Sequence, residues 1–156
     1  MPEGEQTRLV AWADEMSRVH VRLRDALRVT RQAVASGTPG VPAERDLLLF
    51  CHGFCTALAE HHVGEDTTLF PAIEAAHPEL RDTLRKLQQD HSMISFLLQD
   101  LQSAVEAGGS LTQLDQHLEG IAAIMESHFR YEERTLLGVL ATLELADRPT
   151  RVFGSL

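Results

Sequence analysis

The sequence predicts an all-α protein: one domain over residues 1–156, built as an up-down-up-down antiparallel bundle of four helices. Three observations carry that reading. Apolar residues recur at steps of three and four, sustained period-two alternation is absent, and Gly/Pro-containing breaks cut the chain into four stretches of similar length. The helices are placed at approximately 7–35, 42–76, 78–106 and 111–145. At about 30 residues each would be roughly 45 Å long, and short connections favour antiparallel neighbours.

The first helix is read from Leu9, Met16, His20, Leu23, Leu27 and Val34, and ends at the SGTPGVP break, Ser36 to Pro42. Pro42 suits the first turn of the next helix, where a missing N–H does no harm. That second helix carries Leu47, Phe50, Phe54, Leu58, His61, Glu65 and Leu69 inward. Pro71 lies inside it and is expected to kink it by removing a backbone donor. Pro78 opens the third helix, with an exposed His77 placed to cap it. The stripe there is Leu80, Leu84, Leu87, His91, Ile94, Leu98, Leu101 and Val105. AGGS (Ala107 to Ser110) precedes the fourth helix, where Ser110 and Gln113 have capping-box spacing. Its stripe is Leu114, His117, Ile121, Ile124, His128, Glu132, Leu136 and Val139, and Asp147 to Pro149 ends it. Gly138 is a weak point matching Pro71 in position.

Composition narrows the function. A chain of 156 residues with 44% hydrophobic and 24% charged residues is long enough for one real core and reads as globular. The net charge of −9, with no basic cluster interleaved by aromatics, argues against nucleic acid as a partner. Arg18, Arg22, Arg24, Arg28 and Arg31 alternate with acids and apolar residues, the pattern of a solvated helix face. No apolar run approaches the roughly 20 residues of a membrane span, and the polar start MPEGEQTR lacks a signal-peptide core, so a cytoplasmic location is expected. Cys51 and Cys55, at i, i+4, match neither redox nor zinc spacing and read as small core thiols. No protein partner or oligomeric state is legible.

Polar residues in the middle of all four stripes carry the chemistry. EHHVGEDTTLFP, from Glu60, and HFRYEERTLL, from His128, share a His, a Glu four later, a Thr seven later and a Leu eight later. In an antiparallel hairpin, residues at one level are equidistant from the turn. The midpoints of His20 and His61 (40.5), His61 and His91 (76), and His91 and His128 (109.5) each fall in a separately assigned break. One histidine per helix therefore meets at one depth. An i+4 residue lies about 40° round and roughly 6 Å along, so Glu65 joins His61 and Glu132 joins His128 on the inward face. Asp66 and Glu133, at i+5, point about 140° away and are assigned to the periphery.

Four imidazoles and two carboxylates cannot be buried unpaired, at several kcal/mol each. Two divalent cations held by His20, His61, Glu65, His91, His128 and Glu132 would satisfy them, and this donor mixture suits iron, manganese or zinc. His62, about 100° round from His61, has three readings: an interhelical partner to the ligands, which is favoured, an exposed residue, or a further ligand on a distorted helix. Tyr131 either donates to the site or packs between helices. His117 is about 16 Å along the axis from His128, too far to share the ions. His52 reads as exposed.

His20, His61-x-x-x-Glu65 with Leu69-Phe70-Pro71, His91 and His128-x-x-x-Glu132 resemble the signature of the hemerythrin-like HHE cation-binding family. The resemblance spans residues of roughly 10 to 145. It implies two iron ions in a non-haem di-iron centre able to carry an oxo or hydroxo bridge, with Glu65 and Glu132 as bridging carboxylates and the histidines as terminal ligands. It further implies a small diatomic or peroxide ligand, oxygen, peroxide or nitric oxide, met in sensing, iron handling or stress protection. The chain departs from the oxygen-carrying hemerythrins, which place two histidines four residues apart on the third helix, because Leu87 and Ser95 flank His91 at that spacing. They also set the last carboxylate five residues after its histidine. Two other functions are carried beside this one: di-iron enzyme turnover, catalase-like or nitric-oxide-reducing, and a structural or scavenging zinc or manganese site.

Overall fold

Leu84, Leu87, Ile94, Leu98 and Leu101 are buried on the third segment with His91 among them, which makes it a helix that must lay one face on its neighbours. The same logic holds along the chain, and the computed structural model describes residues 3–37 and 45–142, with side chains described for 13–37, 49 and 51–142. The elements are α1 (Glu3–Ala35), α2 (Arg45–Gly64), a π-helical turn (Glu65–Leu69), α3 (Phe70–Ala76), a 3₁₀ turn (Pro78–Leu80), α4 (Arg81–Glu106) and α5 (Leu111–Leu140). They form a four-helix, all-α bundle, with no strand among the described residues. α1 packs on α2 and α5, and α4 packs on the same two, so the four surround a single core.

Around the polar level that core is dry. Met16 and Leu23 flank His20, Leu58 and Leu69 flank His61, Leu87 and Ile94 flank His91, and Ile121 and Leu136 bracket His128, all nearly inaccessible to solvent. Each such aliphatic side chain contributes on the order of 1.5–3 kcal/mol by burial. On α5 the inward stripe is wider than predicted: Leu118, Met125, Phe129 and Leu140 are buried, while His117, Ile124 and Val139 are half-buried. The helical period of 3.6 spreads a core face over more than one row of residues.

The sequence predicts a helix over 42–76 kinked at Pro71, and the chain inserts the π turn just ahead of that residue. The Phe70 N–H donates to the Glu65 carbonyl, five residues back. A proline ring in a regular helix collides with the carbonyl four residues earlier, and a wider turn relieves that clash without breaking the element. Gly138 leaves α5 unbroken to Leu140. At the start of α5 the capping box is formed, with the Gln113 N–H donating to Ser110 Oγ at 3.3 Å and the Ser110 N–H to Gln113 Oε1 at 3.1 Å. Gly108, at φ 72°, supplies the left-handed residue that ends α4. His77 is half-buried and makes no side-chain cap; its ring nitrogen pairs with Glu79 at 3.1 Å. The break from 38 to 44 with Pro42, the side chains of Leu9, Leu47 and Phe50, and the predicted end at Asp147 to Pro149 lie outside the described residues.

Candidate metal centre

Among the described residues, seven polar side chains meet in the middle of this core, each between 0% and 5% exposed: His20, His61, His62, Glu65, His91, His128 and Glu132. Six are the residues the sequence nominated, and the seventh is His62. Their donor atoms form two groups, His62, Glu65, His91 and His128 in one, and His20, His61, Glu65 and Glu132 in the other, with the atoms of each group within 4.8 Å of one another.

The carboxylates link the groups. Glu65 Oε1 lies 3.2 Å from His61 Nε2 and 3.4 Å from His91 Nε2. Glu132 Oε1 lies 3.2 Å from His20 Nε2, and its Oε2 lies 3.1 Å from His128 Nε2. Helix geometry explains the linkage on α2. Glu65 sits about 40° round from His61 and about 60° short of His62, so the two histidines flank the carboxylate on its two sides.

Three imidazoles are aimed inward by acids on their outer edge. His91 Nδ1 donates to Asp66 Oδ1 at 2.7 Å, His128 Nδ1 to Asp90 Oδ2 at 3.2 Å, and His20 Nδ1 to Glu133 Oε1 at 3.0 Å. An ionised carboxylate only accepts, so Nδ1 must hold the proton and Nε2 is the atom presented to the centre. Asp66 and Glu133 do turn away from His61 and His128, as their i+5 spacing requires. That turn carries them to the outer edge of the histidine on the neighbouring helix, so they support the site directly and are not merely peripheral.

Several of the inward atoms lack conventional partners. His20 Nε2, His62 Nε2 and all four oxygens of Glu65 and Glu132 are buried without hydrogen-bond geometry to any neighbour. His91 Nε2 and His128 Nε2 face each other at 3.0 Å, two lone pairs that oppose one another unless a proton or cation lies between them. Burial and the Glu132 charge push the Glu65 carboxyl well above the usual carboxylate range. Burial also opposes ionisation of Glu132, yet its contacts with Glu65, His128, His20 and His91 outweigh that and hold it well below. The two carboxylates are thus pushed in opposite directions, Glu65 toward the acid and Glu132 toward the anion. For His62, burial and then the neighbouring His91, His61 and His128 rings push the pKa well down, leaving a neutral imidazole.

The outer supports differ in strength. Arg24 Nη1 and Nη2 form a fork on Glu133 at 2.9 and 3.2 Å while its Nε bonds Glu126 at 2.9 Å. Burial works against Glu133, but the His20 and Arg24 contacts prevail and lower its pKa to about 2. Arg24 thus leaves the solvated face to which sequence assigned the arginine run. On the opposite side, a pocket of about 350 Å³ between α2 and α4 is lined by Ala59, His62, Asp66, His91, Ser92 and Ser95 among others.

Other nominated residues lie elsewhere. Tyr131 is half-buried, with Lys86 Nζ 4.4 Å above its ring, and packs between helices. His117 belongs to neither donor group. Cys51 and Cys55 are buried free thiols, and burial pushes their pKa values up to about 11 and about 12, the chemistry of inert core residues. Asp90 and Arg24 were missed as supports. For Asp90 the signal existed: the midpoint of Asp90 and His128 is 109, in the same turn that aligned His91 with His128.

A four-helix bundle whose dry centre holds two overlapping groups of imidazoles and carboxylates defines a cation-binding bundle protein. The model of the hemerythrin HHE cation-binding domain matches residues 13–140, and the chain belongs to that family. Searches of curated proteins and of solved structures gave no significant match. No described helix is long and apolar enough to cross a membrane.

Proposed function

We propose that this protein holds two iron ions through His20, His61, Glu65, His91, His128 and Glu132, and that the reduced pair binds or reacts with a small oxidant such as oxygen, peroxide or nitric oxide. The observation that carries the reading is the pair of buried donor groups sharing Glu65, with Glu132 reaching across both. Imidazole and carboxylate donors in this ratio suit iron, manganese and zinc, and family membership favours iron. Bound iron would supply the electrons for redox chemistry.

The chain's own residues do the rest. Asp66, Asp90 and Glu133 keep the Nδ1 protons of His91, His128 and His20 on the outer edge and fix the ring planes. The apolar residues above and below exclude water. The pocket at His62 and His91 offers a route for a small molecule, with Ser92, Ser95 and Asp66 as its polar wall. A place in sensing, iron handling or stress protection follows from this chemistry and belongs to the same proposal.

Protein purified from iron-replete cells should contain about two irons per chain, one for each donor group. Its near-ultraviolet absorption should change when the reduced form meets air. Protein without iron that gains no stability from ferrous ion under anaerobic conditions would overturn the reading. Steady-state consumption of peroxide or nitric oxide would make it an enzyme, whereas uptake ending at one equivalent would make it a binder or sensor.

A further inference from the structure

We infer that His62 is a metal ligand, completing with His91 and His128 a three-imidazole position, while His20 and His61 give the other ion only two. The inference rests on the metal-binding reading above and adds to it a residue and an inequality between the two positions.

The two copies of the His-x-x-x-Glu segment supply their own control. His62 follows His61 as Phe129 follows His128. Each ring stacks on the histidine contributed by a neighbouring helix: His62 on His91 at 3.9 Å and 14°, and Phe129 on His20 at 4.0 Å and 8°. Stacking alone is therefore served by a phenyl ring, and it does not account for an imidazole at position 62. The imidazole differs in one respect: its Nε2 is buried without a hydrogen bond, in a group whose other donors are Glu65, His91 and His128. A buried unpaired nitrogen is unfavourable unless something binds it. α4 offers this group one histidine, because one turn after His91 it carries Ser95, which lines the pocket beside His62. His62 reaches the same space from α2.

The test uses the substitution that the second copy already tolerates. His62→Phe keeps a ring on His91 and removes the nitrogen. Ferrous ion is titrated anaerobically into metal-free wild type and His62→Phe, in competition with a chromophoric chelator. The expected result is two ions in wild type, and in the variant one ion at wild-type affinity and one weakened at least about tenfold. Equal affinities for both ions would overturn the inference and leave His62 a packing ring. Wild type that takes up no ion would instead defeat the metal-binding reading itself. A second measurement needs no variant: cobalt-loaded wild type should show five paramagnetically shifted, exchangeable imidazole N–H resonances, and four would overturn the proposal.

Discussion

The segment from His61 to Pro71 and the segment from His128 to Gly138 repeat one spacing on two helices, yet they finish the site differently. Both deliver a histidine and, four residues on, a glutamate inward, the first adding His62, and in both the next acid turns outward to hold a neighbour's histidine: Asp66 holds His91, and Glu133 holds His20. The second copy is a continuous helix whose outer acid is locked by Arg24. The first passes into a π turn, its acid meets no arginine fork among the described residues, and its face borders a pocket. A repeated ligand pattern thus yields one wall whose outer acid is held by an arginine fork and one whose outer acid lines a pocket together with His62 and His91. The inward side chains are set by helical spacing, but their outer partners are set by what packs behind them.

The largest effect should come from removing what the copies share. Glu132→Ala deletes oxygens that face both groups, so iron content after desalting should fall from about two ions per chain to fewer than one. Retention of both ions would mean that Glu132 does not link them.

A comparison of the outer acids should give an intermediate effect and separate the two walls. Glu133→Gln and Asp66→Asn should each weaken iron affinity by about 10–100-fold, because each replaces the charged acceptor that orients an imidazole with a weaker neutral amide. In the metal-free protein they should diverge under chemical denaturation. Glu133→Gln also dismantles the Arg24 fork and should cost about 1–3 kcal/mol, with Asp66→Asn nearer to zero. Equal losses would remove the distinction between the two walls.

The smallest effect concerns the pocket. Ser95→Phe should leave iron content and melting temperature unchanged while slowing oxidation of the reduced protein, on the order of several-fold in stopped-flow absorption. An unchanged rate would show that small molecules reach the centre by another path.

Much of this was legible in one dimension because helices convert spacing into direction. The four-helix class followed from apolar periodicity, and the common level of His20, His61, His91 and His128 followed from hairpin midpoints. Glu65 and Glu132 followed from i+4 geometry, and the Ser110 cap from its box. Less was legible wherever a side chain's partner comes from a helix with no connecting hairpin. The Arg24, Glu133 and His20 chain joins α1 to α5, the first and last helices, so no midpoint relates them. The π turn was hidden because Pro71 announces a defect without saying whether the helix will bend or widen.

Position 62 shows where the boundary falls. Sequence placed His62 about 100° from His61, an angle compatible with solvent, a neighbouring helix or the centre. The tertiary structure removed the solvent reading by burying the ring to 5% exposure and setting it against His91. By itself, then, the sequence determined the bundle, the depth of the polar layer and six of the seven inward polar side chains, because those depend on helical period and chain reversal. Only the packed structure decided the inward place of His62, the acids that aim the imidazoles and the wall that borders a pocket at His62 and His91. Those depend on distances between helices, which no spacing along one chain records.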